Sequence, residues 1–362
     1  MSELITVHYN EKPIYDIAIE KDFSKLAMKV SELGISGRKL CIVTDSNVGE
    51  LYADEVKNEL EKTGNAVFVY TFRAGEASKN LNTVEDVYEY LIINKFDRKD
   101  MIVALGGGVV GDLAGFTAAT YLRGIDFIQV PTSLLAQVDS SIGGKTGVDF
   151  RAYKNMVGAF HQPRLVYMNL SVLGSLSERL FNSGFGEIIK HGFIRDKEYY
   201  TWLKENIQYI KSHDYDALEN MIAISCNIKR RVVELDPTEK GDRALLNFGH
   251  TLGHAIEKLK NFELYHGECV VLGMVAALEI SRTRQLISDA EYEDAINTFK
   301  AYNFPVTVGG ISVEDVIKVS KNDKKMDAGK IKFILLDRIG NAYIDKTVTD
   351  DEMRAALSKV II

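Results

Sequence analysis

The sequence contains few cysteines and few prolines, and these shortages limit the kind of protein it can encode. Its three cysteines, Cys41, Cys226 and Cys269, lie far apart in apolar surroundings, which excludes a disulfide framework and a Cys-x-x-Cys metal site. Only five prolines occur, and no repeat or low-complexity tract is present. The composition is that of a globular protein whose cysteines stay reduced, as in the cytoplasm.

A surplus of basic residues and a long apolar segment are also missing. The net charge of −7 gives no general reason to expect a nucleic acid or an anionic membrane as a partner. The N-terminus has no charged leader followed by an apolar stretch, so we expect no signal peptide. The longest apolar run, residues 269–278, predicts a buried helix and is too short to cross a bilayer. Any phosphate site must therefore be a local basic cluster.

A chain of 362 residues is too long for one ordinary core, and its pattern changes near residue 175. Before that point, short apolar strands at 39–44, 66–70, 101–105 and 127–130 alternate with helical segments. This order predicts an α/β domain with a mainly parallel sheet over residues 1–175. Residues 176–362 predict a mainly α-helical domain. Its helices are expected at 185–194, 199–211, 215–234, 249–259, 268–284 and 289–302, with one hairpin formed by 330–336 and 342–344.

Three of the seven histidines lie close together at His250, His254 and His266. His250 and His254 are four residues apart and would point the same way from a helix, which is typical of a zinc-like metal site. Spacing alone selects these two as the ligand pair. The alternative places His254 and Glu257 on a solvated face and His250 in the core. Glu187 adds a carboxylate in an apolar helix, paired either with Lys190 or with a metal in a Glu/His₂ site.

A glycine-rich turn, Gly106 to Asp112, follows a predicted strand and has the spacing of a dinucleotide-binding fingerprint. Glycine lets the backbone approach a pyrophosphate at the start of the next helix, although such turns also select glycine for positive φ. Asp126 has the spacing of a ribose-binding acid but opens a strand. Residues 139–146 imitate a P-loop, yet Asp139 replaces its first glycine and no strand precedes it. We therefore disfavour an ATPase and keep Lys145 as a phosphate contact.

Several basic residues lie near Gly, Asn or His in loop-like or helix-start settings. Individually they are ordinary surface charges, but together with the metal cluster they predict a pocket for a substrate with phosphate and carboxylate groups. They are Arg123, Lys145, Arg151, Lys154, Lys190, Lys229, Arg230, Arg243, Lys324 and Lys325.

Ten motifs, in order along nearly the whole chain, resemble the 3-dehydroquinate synthase family. They are residues 75–79, 106–112, 118–124, 131–146, 154–155, 158–160, 187–190, 246–257, 266–268 and 323–325. The resemblance implies a Rossmann-like N-terminal domain, a helical C-terminal domain and an active site in the cleft between them. It also implies bound NAD, a divalent metal (zinc or cobalt) and a homodimer.

The resemblance also implies roles for individual residues. The metal ligands would be Glu187, His250 and His266, which makes His254 a substrate residue, contrary to the spacing argument. The expected NAD contacts are Asp45, Glu76, Lys79, Gly107, Gly108, Val109, Val110, Gly111, Asp112, Thr132, Ser133, Lys145, Lys154 and Ser175. The expected substrate contacts are Arg123, Asp139, Lys145, Lys154, Asn155, Lys190, Lys229, Arg243, Asn247, His254 and Lys325 or its neighbour Lys324. The sequence departs from the family pattern at Ser133 and Ser175, where Thr is frequent, and at Gly186, where Ala is usual. Gly174 and Ser177 also depart from a common Leu-Lys-Thr-Leu-Pro.

The implied reaction converts 3-deoxy-D-arabino-heptulosonate 7-phosphate to 3-dehydroquinate and phosphate. It combines oxidation by NAD⁺, β-elimination of phosphate, re-reduction by the same NADH, ring opening and aldol closure. Three alternatives stay open. A polyol dehydrogenase of the glycerol dehydrogenase type would share the glycine turn but release NADH. A related sugar-phosphate cyclase would make another carbocycle. A catalytically inactive sensor would bind NAD or sugar phosphate without turnover.

Overall fold

The computed structural model describes residues 3–151, 153–261, 263–321, 326–327 and 330–362, so Lys324 and Lys325 lie outside the described residues. The chain forms two compact units. The first contains Met1–Leu176 and Leu218–Pro237, and the second contains Ser177–Ala217 and Thr238–Ile362. The change of unit after Leu176 lies next to the expected boundary. The return of Leu218–Pro237 to the first unit departs from a single boundary, and the ligands assigned to each domain remain predictions.

The first unit is built on a seven-stranded sheet with the strand order β1-β2-β9-β6-β5-β3-β4. β1 and β2 are antiparallel, and every other neighbouring pair in this sheet is parallel. The strands of the unit are β1 (Glu3–Tyr9), β2 (Lys12–Glu20), β3 (Lys39–Asp45), β4 (Ala66–Phe72), β5 (Met101–Gly106), β6 (Asp126–Pro131), β7 (Lys145–Phe150), β8 (Tyr153–Phe160) and β9 (Leu165–Asn169). The predicted α/β fold class and the four predicted strands are confirmed.

Apolar side chains cover both faces of this sheet, which explains why its central strands are continuous apolar runs. In β3, Cys41 and Val43 belong to one buried cluster, and Leu40 and Ile42 belong to the other. Helices pack on each face. They are α1 (Leu26–Ser31), α2 (Ser46–Glu61), α3 (Leu81–Ile93) and α4 (Gly108–Thr120).

The strand order reverses at β3, because β4 lies on one side of it and β5 on the other. Ligands of open α/β sheets bind beyond the carboxyl ends of the strands at such a point. Asp45 ends β3 and Gly106 ends β5 at this edge. Asp126 pairs with Met101 at the opposite edge and forms an ion pair with Arg164 at 2.6 Å. Its position excludes Asp126 as a ribose ligand beside the glycine turn.

The glycine turn joins β5 directly to α4, as predicted. None of its four glycines has positive φ, so backbone conformation does not explain their presence. The close approach of neighbouring side chains to two of these glycines explains their presence. A Cβ on Gly106 would collide with the Val110 side chain, and one on Gly111 would lie 2.6 Å from Oε1 of Gln129. The turn is therefore compact because glycine lets strand and helix meet.

The P-loop-like segment has a different structure from a P-loop. Residues 136–140 form a π-helical turn, and the strand β7, rather than a helix, begins at Lys145. β7 pairs with β8 in an antiparallel hairpin that the sequence pattern did not predict. The interpretation that this segment is not a P-loop is confirmed, because a P-loop needs a helix after its lysine to bind phosphate.

The helical part contains nine helices among the described residues. They are α5 (Glu178–Arg195), α6 (Lys197–Glu205), α7 (Ile207–Lys211), α8 (Tyr215–Leu235), α9 (His250–Leu259), α10 (His266–Thr283), α11 (Asp289–Ala301), α12 (Val313–Ser320) and α13 (Asp350–Leu357). α8 runs from the second unit into the first. No helix in the described part of the chain combines the length and apolarity needed to span a bilayer.

Two details of the second unit differ from the sequence prediction or refine it. The single helix expected at 199–211 is wrong, because the chain breaks at Asn206, whose side-chain amide donates to the carbonyl of Trp202 at 2.9 Å. Such local bonds compete with helical ones. The hairpin is confirmed as β12 (Phe333–Arg338) and β13 (Asn341–Asp345), while β10 (Met326–Asp327) and β11 (Lys330–Ile331) form a separate short pair.

Glycines allow α5, α9 and α10 to approach one another closely. A Cβ on Gly253 of α9 would lie 2.6 Å from the carbonyl oxygen of Cys269 on α10. A Cβ on Gly273 would overlap the carbonyl oxygen of Gly249, and one on Gly267 would overlap that of Ser183 on α5. These contacts involve backbone atoms, which cannot rotate away. The three helices therefore keep this spacing only with glycine at the crossings.

We predict that Gly273→Ala destabilises the protein by about 1–3 kcal/mol or more, the usual cost of overpacking. Its unfolding temperature, measured by calorimetry, should fall. Gly174→Ala is the matched control, because a Cβ there meets no atom within 4 Å. Equal unfolding temperatures for the two variants would contradict the close-crossing argument.

Candidate active-site residues

Glu187 lies in the middle of α5 and is fully buried. Its Oε2 accepts a hydrogen bond from the ammonium of Lys190, which is 1% exposed, so the expected pairing of these two residues exists. The second oxygen, Oε1, has no hydrogen-bond partner among the described residues. A buried carboxylate oxygen of this kind is costly to leave unpaired and is available to a cation.

Two imidazoles direct the same nitrogen toward Glu187. Nε2 of His250 lies 3.5 Å from Oε1 of Glu187, and Nε2 of His266 lies 3.6 Å from the same atom. The other nitrogen of each ring faces an acceptor. Nδ1 of His250 is 3.1 Å from the carbonyl oxygen of Phe248, and Nδ1 of His266 is 3.7 Å from Oε2 of Glu257. Acceptors at Nδ1 favour the tautomer that leaves Nε2 free to bind a metal.

The charges of these groups support one another. Burial alone would raise the pKa of Glu187, but Lys190 and His266 hold it well below its usual value. Burial alone would lower the pKa of His266, but Glu187 and Glu257 raise it to about 9. The carboxylate is therefore ionised at neutral pH and attracts positive charge, either a proton on His266 or a metal cation.

His254 lies one turn after His250 on α9. Nitrogens of His250, His254 and His266 lie within 4.8 Å of one another, so these three could also hold a metal. The structure thus brings together both the pair favoured by spacing and the set implied by the resemblance. Among the four candidate ligands, only Glu187 carries a negative charge that a divalent cation would neutralise. We therefore favour the set with Glu187, which remains a prediction.

Glu257 is a residue whose place the sequence reasoning missed. The alternative that places Glu257 on a solvated face is wrong, because this residue is only 8% exposed, while the same alternative correctly places His250, also 8% exposed, in the core. A signal was present, because His250, His254 and Glu257 are spaced i, i+4 and i+7 and share one face of a helix. Carboxylates commonly orient metal-binding histidines in this way.

Two further expected substrate residues precede α9 in a 3₁₀ segment, Asp242–Asn247. Arg243 is 2% exposed, and the amide nitrogen of Asn247 donates to Oε1 of Glu239 at 3.0 Å. The segment ends two residues before Gly249, the N-cap of α9, and so places both side chains on the chain leading to His250.

In the first unit, five expected ligand residues form one charged cluster. The ammonium of Lys79, which is 4% exposed, donates to Oδ2 of Asp112 at 2.6 Å and to Oδ1 of Asn155 at 2.7 Å. Nζ of Lys154 lies 3.7 Å from Oε1 of Glu76. Burial alone would lower the pKa of Lys79, but Asp112 and Glu76 raise it above its usual value. Lys79 is therefore charged and holds α4 and β8 together.

The glycine turn has the properties of a pyrophosphate site. Gly107 is the N-cap of α4 and provides no side-chain cap to its first-turn N–H groups. A Cβ on Gly107 would lie 3.4 Å from Oγ of Ser133, so glycine keeps this space open. Thr132 is buried, and its N–H donates to the carbonyl of Gly106 at 3.0 Å. Asp45 at the neighbouring strand end caps α2 by accepting two backbone N–H groups.

The remaining expected residues of the first unit lie in separate places. Lys229 on α8 donates to Oδ1 of Asp139 at 2.5 Å, a contact that ties α8 to this unit. Arg123, with a φ of 70°, and Lys145 are exposed. The hydroxyl of Ser175 donates to the carbonyl of Val172 at 2.8 Å.

Comparison with known proteins gives consistent results over almost the whole chain. Residues 69–183 match the family model "3-dehydroquinate synthase N-terminal", and residues 184–326 match "3-dehydroquinate synthase C-terminal". A 3-dehydroquinate synthase of Acetivibrio thermocellus is 44% identical over 339 residues, which is 94% of each chain.

Two solved structures share the fold. The first, 2-epi-5-epi-valiolone synthase from Streptomyces hygroscopicus with NAD⁺ and Zn²⁺ bound, has a TM-score of 0.88 and 25% identity over 98% of both chains. The second, 2-deoxy-scyllo-inosose synthase complexed with carbaglucose-6-phosphate, NAD⁺ and Co²⁺, has a TM-score of 0.85 and 23% identity over 98% of this chain and 99% of its own. The two family models and the 44% identity carry the assignment: the chain belongs to the 3-dehydroquinate synthase family.

Proposed function

We propose that the chain converts 3-deoxy-D-arabino-heptulosonate 7-phosphate to 3-dehydroquinate and inorganic phosphate, using NAD⁺ and a divalent metal. The observation that carries the metal-dependent part is the buried Oε1 of Glu187, which faces Nε2 of both His250 and His266. Family membership supports the reaction, which belongs to aromatic amino acid biosynthesis.

Glu187, His250 and His266 would hold the metal, zinc or cobalt. One carboxylate and two neutral imidazoles suit either ion and leave a coordination position for substrate. When bound, the metal lowers the pKa of a coordinated hydroxyl and NAD⁺ accepts hydride. Lys190 keeps Glu187 ionised, and Glu257 faces the ring of His266 from its other side. The chain thus orients the ligands before substrate arrives.

The turn from Gly107 to Asp112 would bind the pyrophosphate of NAD, with Thr132 and Ser133 beside it. Glu76, Lys79 and Lys154 would line the same nucleotide site, together with Asp45 at the neighbouring strand end and Ser175. The support is the uncapped first turn of α4 and the open space beside Gly107.

Binding and releasing the phosphate group would depend on basic side chains, since the chain as a whole is acidic. Lys145, Lys154, Lys190, Arg243 and His254 would stabilise the dianion as it leaves, and Arg123, Lys229 and the lysine at 324 or 325 would extend this set. Asp139, Asn155 and Asn247 would orient substrate hydroxyl groups. Donors fixed before the reaction stabilise developing charge without having to reorganise.

We further propose that the chain works as a homodimer in the cytoplasm. The described cysteines are free and buried, which agrees with a reducing compartment. A polyol dehydrogenase is disfavoured because the family matches cover both halves of the chain, and so is an inactive sensor, because the expected ligands are present. A cyclase forming another carbocycle would share the fold, so product identification separates it from the proposal.

The stoichiometry of phosphate and NADH tests the proposed reaction. With heptulosonate 7-phosphate, NAD⁺ and zinc, we expect release of inorganic phosphate without net accumulation of NADH, because the reduced cofactor returns its hydride within each turnover. Phosphate is measured colorimetrically, NADH by absorbance and the carbocycle by mass spectrometry. NADH accumulating with a simple polyol, and no phosphate, would favour the dehydrogenase.

Substitution of the candidate ligands decides between the two possible metal sets. Glu187→Gln and His266→Ala should lower zinc affinity by at least about 100-fold, because each removes a ligand, a larger effect than loss of an outer partner. His254→Ala should change zinc affinity by less than about 10-fold. Affinity is measured by chelator competition without substrate.

Glu263→Gln is the control for this series, since the Glu263 side chain is 70% exposed and pairs only weakly with Lys260 at 3.8 Å. It should bind zinc like the unmodified chain. If His254→Ala weakens zinc binding by about 100-fold while Glu187→Gln leaves it nearly unchanged, the three-histidine set replaces the one proposed.

A further inference from the structure

Asp149 of β7 lies opposite an irregular part of β8. Val148 pairs with Val157 and Phe150 pairs with Tyr153, so the single residue Asp149 faces residues 154–156 of the other strand. A bulge of this kind turns side chains out of the regular ladder and is frequent beside active sites. Here the displaced residues include Lys154 and Asn155, two of the expected ligand residues.

A closed ring of hydrogen bonds fixes the bulge. The carboxylate of Asp149 accepts the backbone N–H of Asn155 at 2.7 Å. The backbone N–H of Asp149 donates to the carbonyl of Lys79 at 2.9 Å. The ammonium of Lys79 then returns to the hairpin and donates to Oδ1 of Asn155 at 2.7 Å. Each of the three residues thus contacts the other two.

Asn155 needs this support because its backbone is left-handed, with a φ of 52°. Residues other than glycine adopt this conformation at a cost, which is smallest for Asn and Asp. The bond from its N–H to Asp149 offsets that cost. Without it, the extended alternative would turn the Asn155 side chain away from Lys79 and move the adjoining Lys154.

We propose that Asp149 is a positioning residue, whose carboxylate oxygen holds Asn155 in the left-handed conformation and thereby aims Lys154 and Asn155 at the substrate's phosphate group. This inference rests on the proposed function. What it requires of Asp149 is an acceptor atom at one place, and the negative charge is secondary. If the position of the acceptor matters most, Asp149→Asn is milder than Asp149→Glu. If the charge matters most, Asp149→Glu is the milder of the two.

The test measures kcat and KM for heptulosonate 7-phosphate, together with the Kd of NAD⁺, in three variants. Asp149→Asn keeps the acceptor in place without the charge and should stay within about 3-fold of the unmodified enzyme in KM. Asp149→Glu keeps the charge but moves the acceptor by one methylene. Asp149→Ala removes it. In Glu and Ala variants we expect KM to rise about 10- to 100-fold, the range for loss of one hydrogen bond to a charged group.

The Kd of NAD⁺ should rise less than KM does, because Lys154 is also expected beside the nucleotide but Lys79 keeps its bond to Asp112. Asp97→Ala is the matched control. Asp97 also accepts a backbone N–H at 2.7 Å, that of Lys99, but lies before β5, at the edge of the sheet opposite the glycine turn. Its KM should not change.

The outcomes separate this inference from the proposed function. The positioning role is supported if Asp149→Asn has the KM of the unmodified enzyme while Asp149→Glu and Asp149→Ala have a raised KM. An Asn variant as impaired as Ala, or Ala and Glu variants with an unchanged KM, overturns it while phosphate release by the unmodified chain upholds the function. If the unmodified chain releases no phosphate, the proposed function and this inference both fail.

Discussion

The burial of an ionised carboxylate at Glu187 is the constraint on which the second unit depends. A charge removed from water is costly unless other charges and dipoles replace its hydration. Lys190 meets one oxygen, and the Nε2 atoms of His250 and His266 face the other. His250 is the first residue of α9 and His266 is the first residue of α10, so α5, α9 and α10 must cross at close range. The glycines at the crossings and the histidines at the helix starts therefore satisfy a single requirement.

The first unit solves a similar problem with the opposite charge. Lys79 is buried, and its ammonium is paired with Asp112 from the helix after the glycine turn and with Asn155 from the β7–β8 hairpin. The two elements expected to bind different ligands, nucleotide and sugar phosphate, are thus joined by one side chain. In both units a buried charge holds the candidate ligand residues in place, so the stability of the fold and the geometry of the site have the same origin.

Sequence reasoning predicted what depends on local pattern. Apolar runs such as 39–44 and 101–105 identify strands buried on both faces, and the histidine spacing identifies a helix face. It could not predict which atoms meet across elements. Spacing selects His254, whereas the approach of Glu187 to His250 and His266 involves a third helix that the local pattern does not show, and the choice between the two ligand sets stays a prediction. The β7–β8 hairpin was missed because each strand contains a glycine and at least one charged residue, so neither is a continuous apolar run. Nothing in the periodicity of 218–237 reveals that this segment packs with the first unit.

Three of the departures from the family pattern, Ser133, Ser175 and Gly186, can be judged by the groups they supply. Oγ of Ser133 accepts the N–H of Ala136 at 3.2 Å, which leaves its proton for a ligand, whereas Ser175 donates its proton to Val172 and keeps its lone pairs. Both serines therefore retain a hydroxyl function that threonine would provide. Gly186 differs in kind. A Cβ there would lie 3.0 Å from the carbonyl oxygen of Gly267, next to Glu187 and His266. An alanine requires the two helices to separate by a few tenths of an ångström, so glycine at this position goes with a slightly closer approach of these two ligand residues.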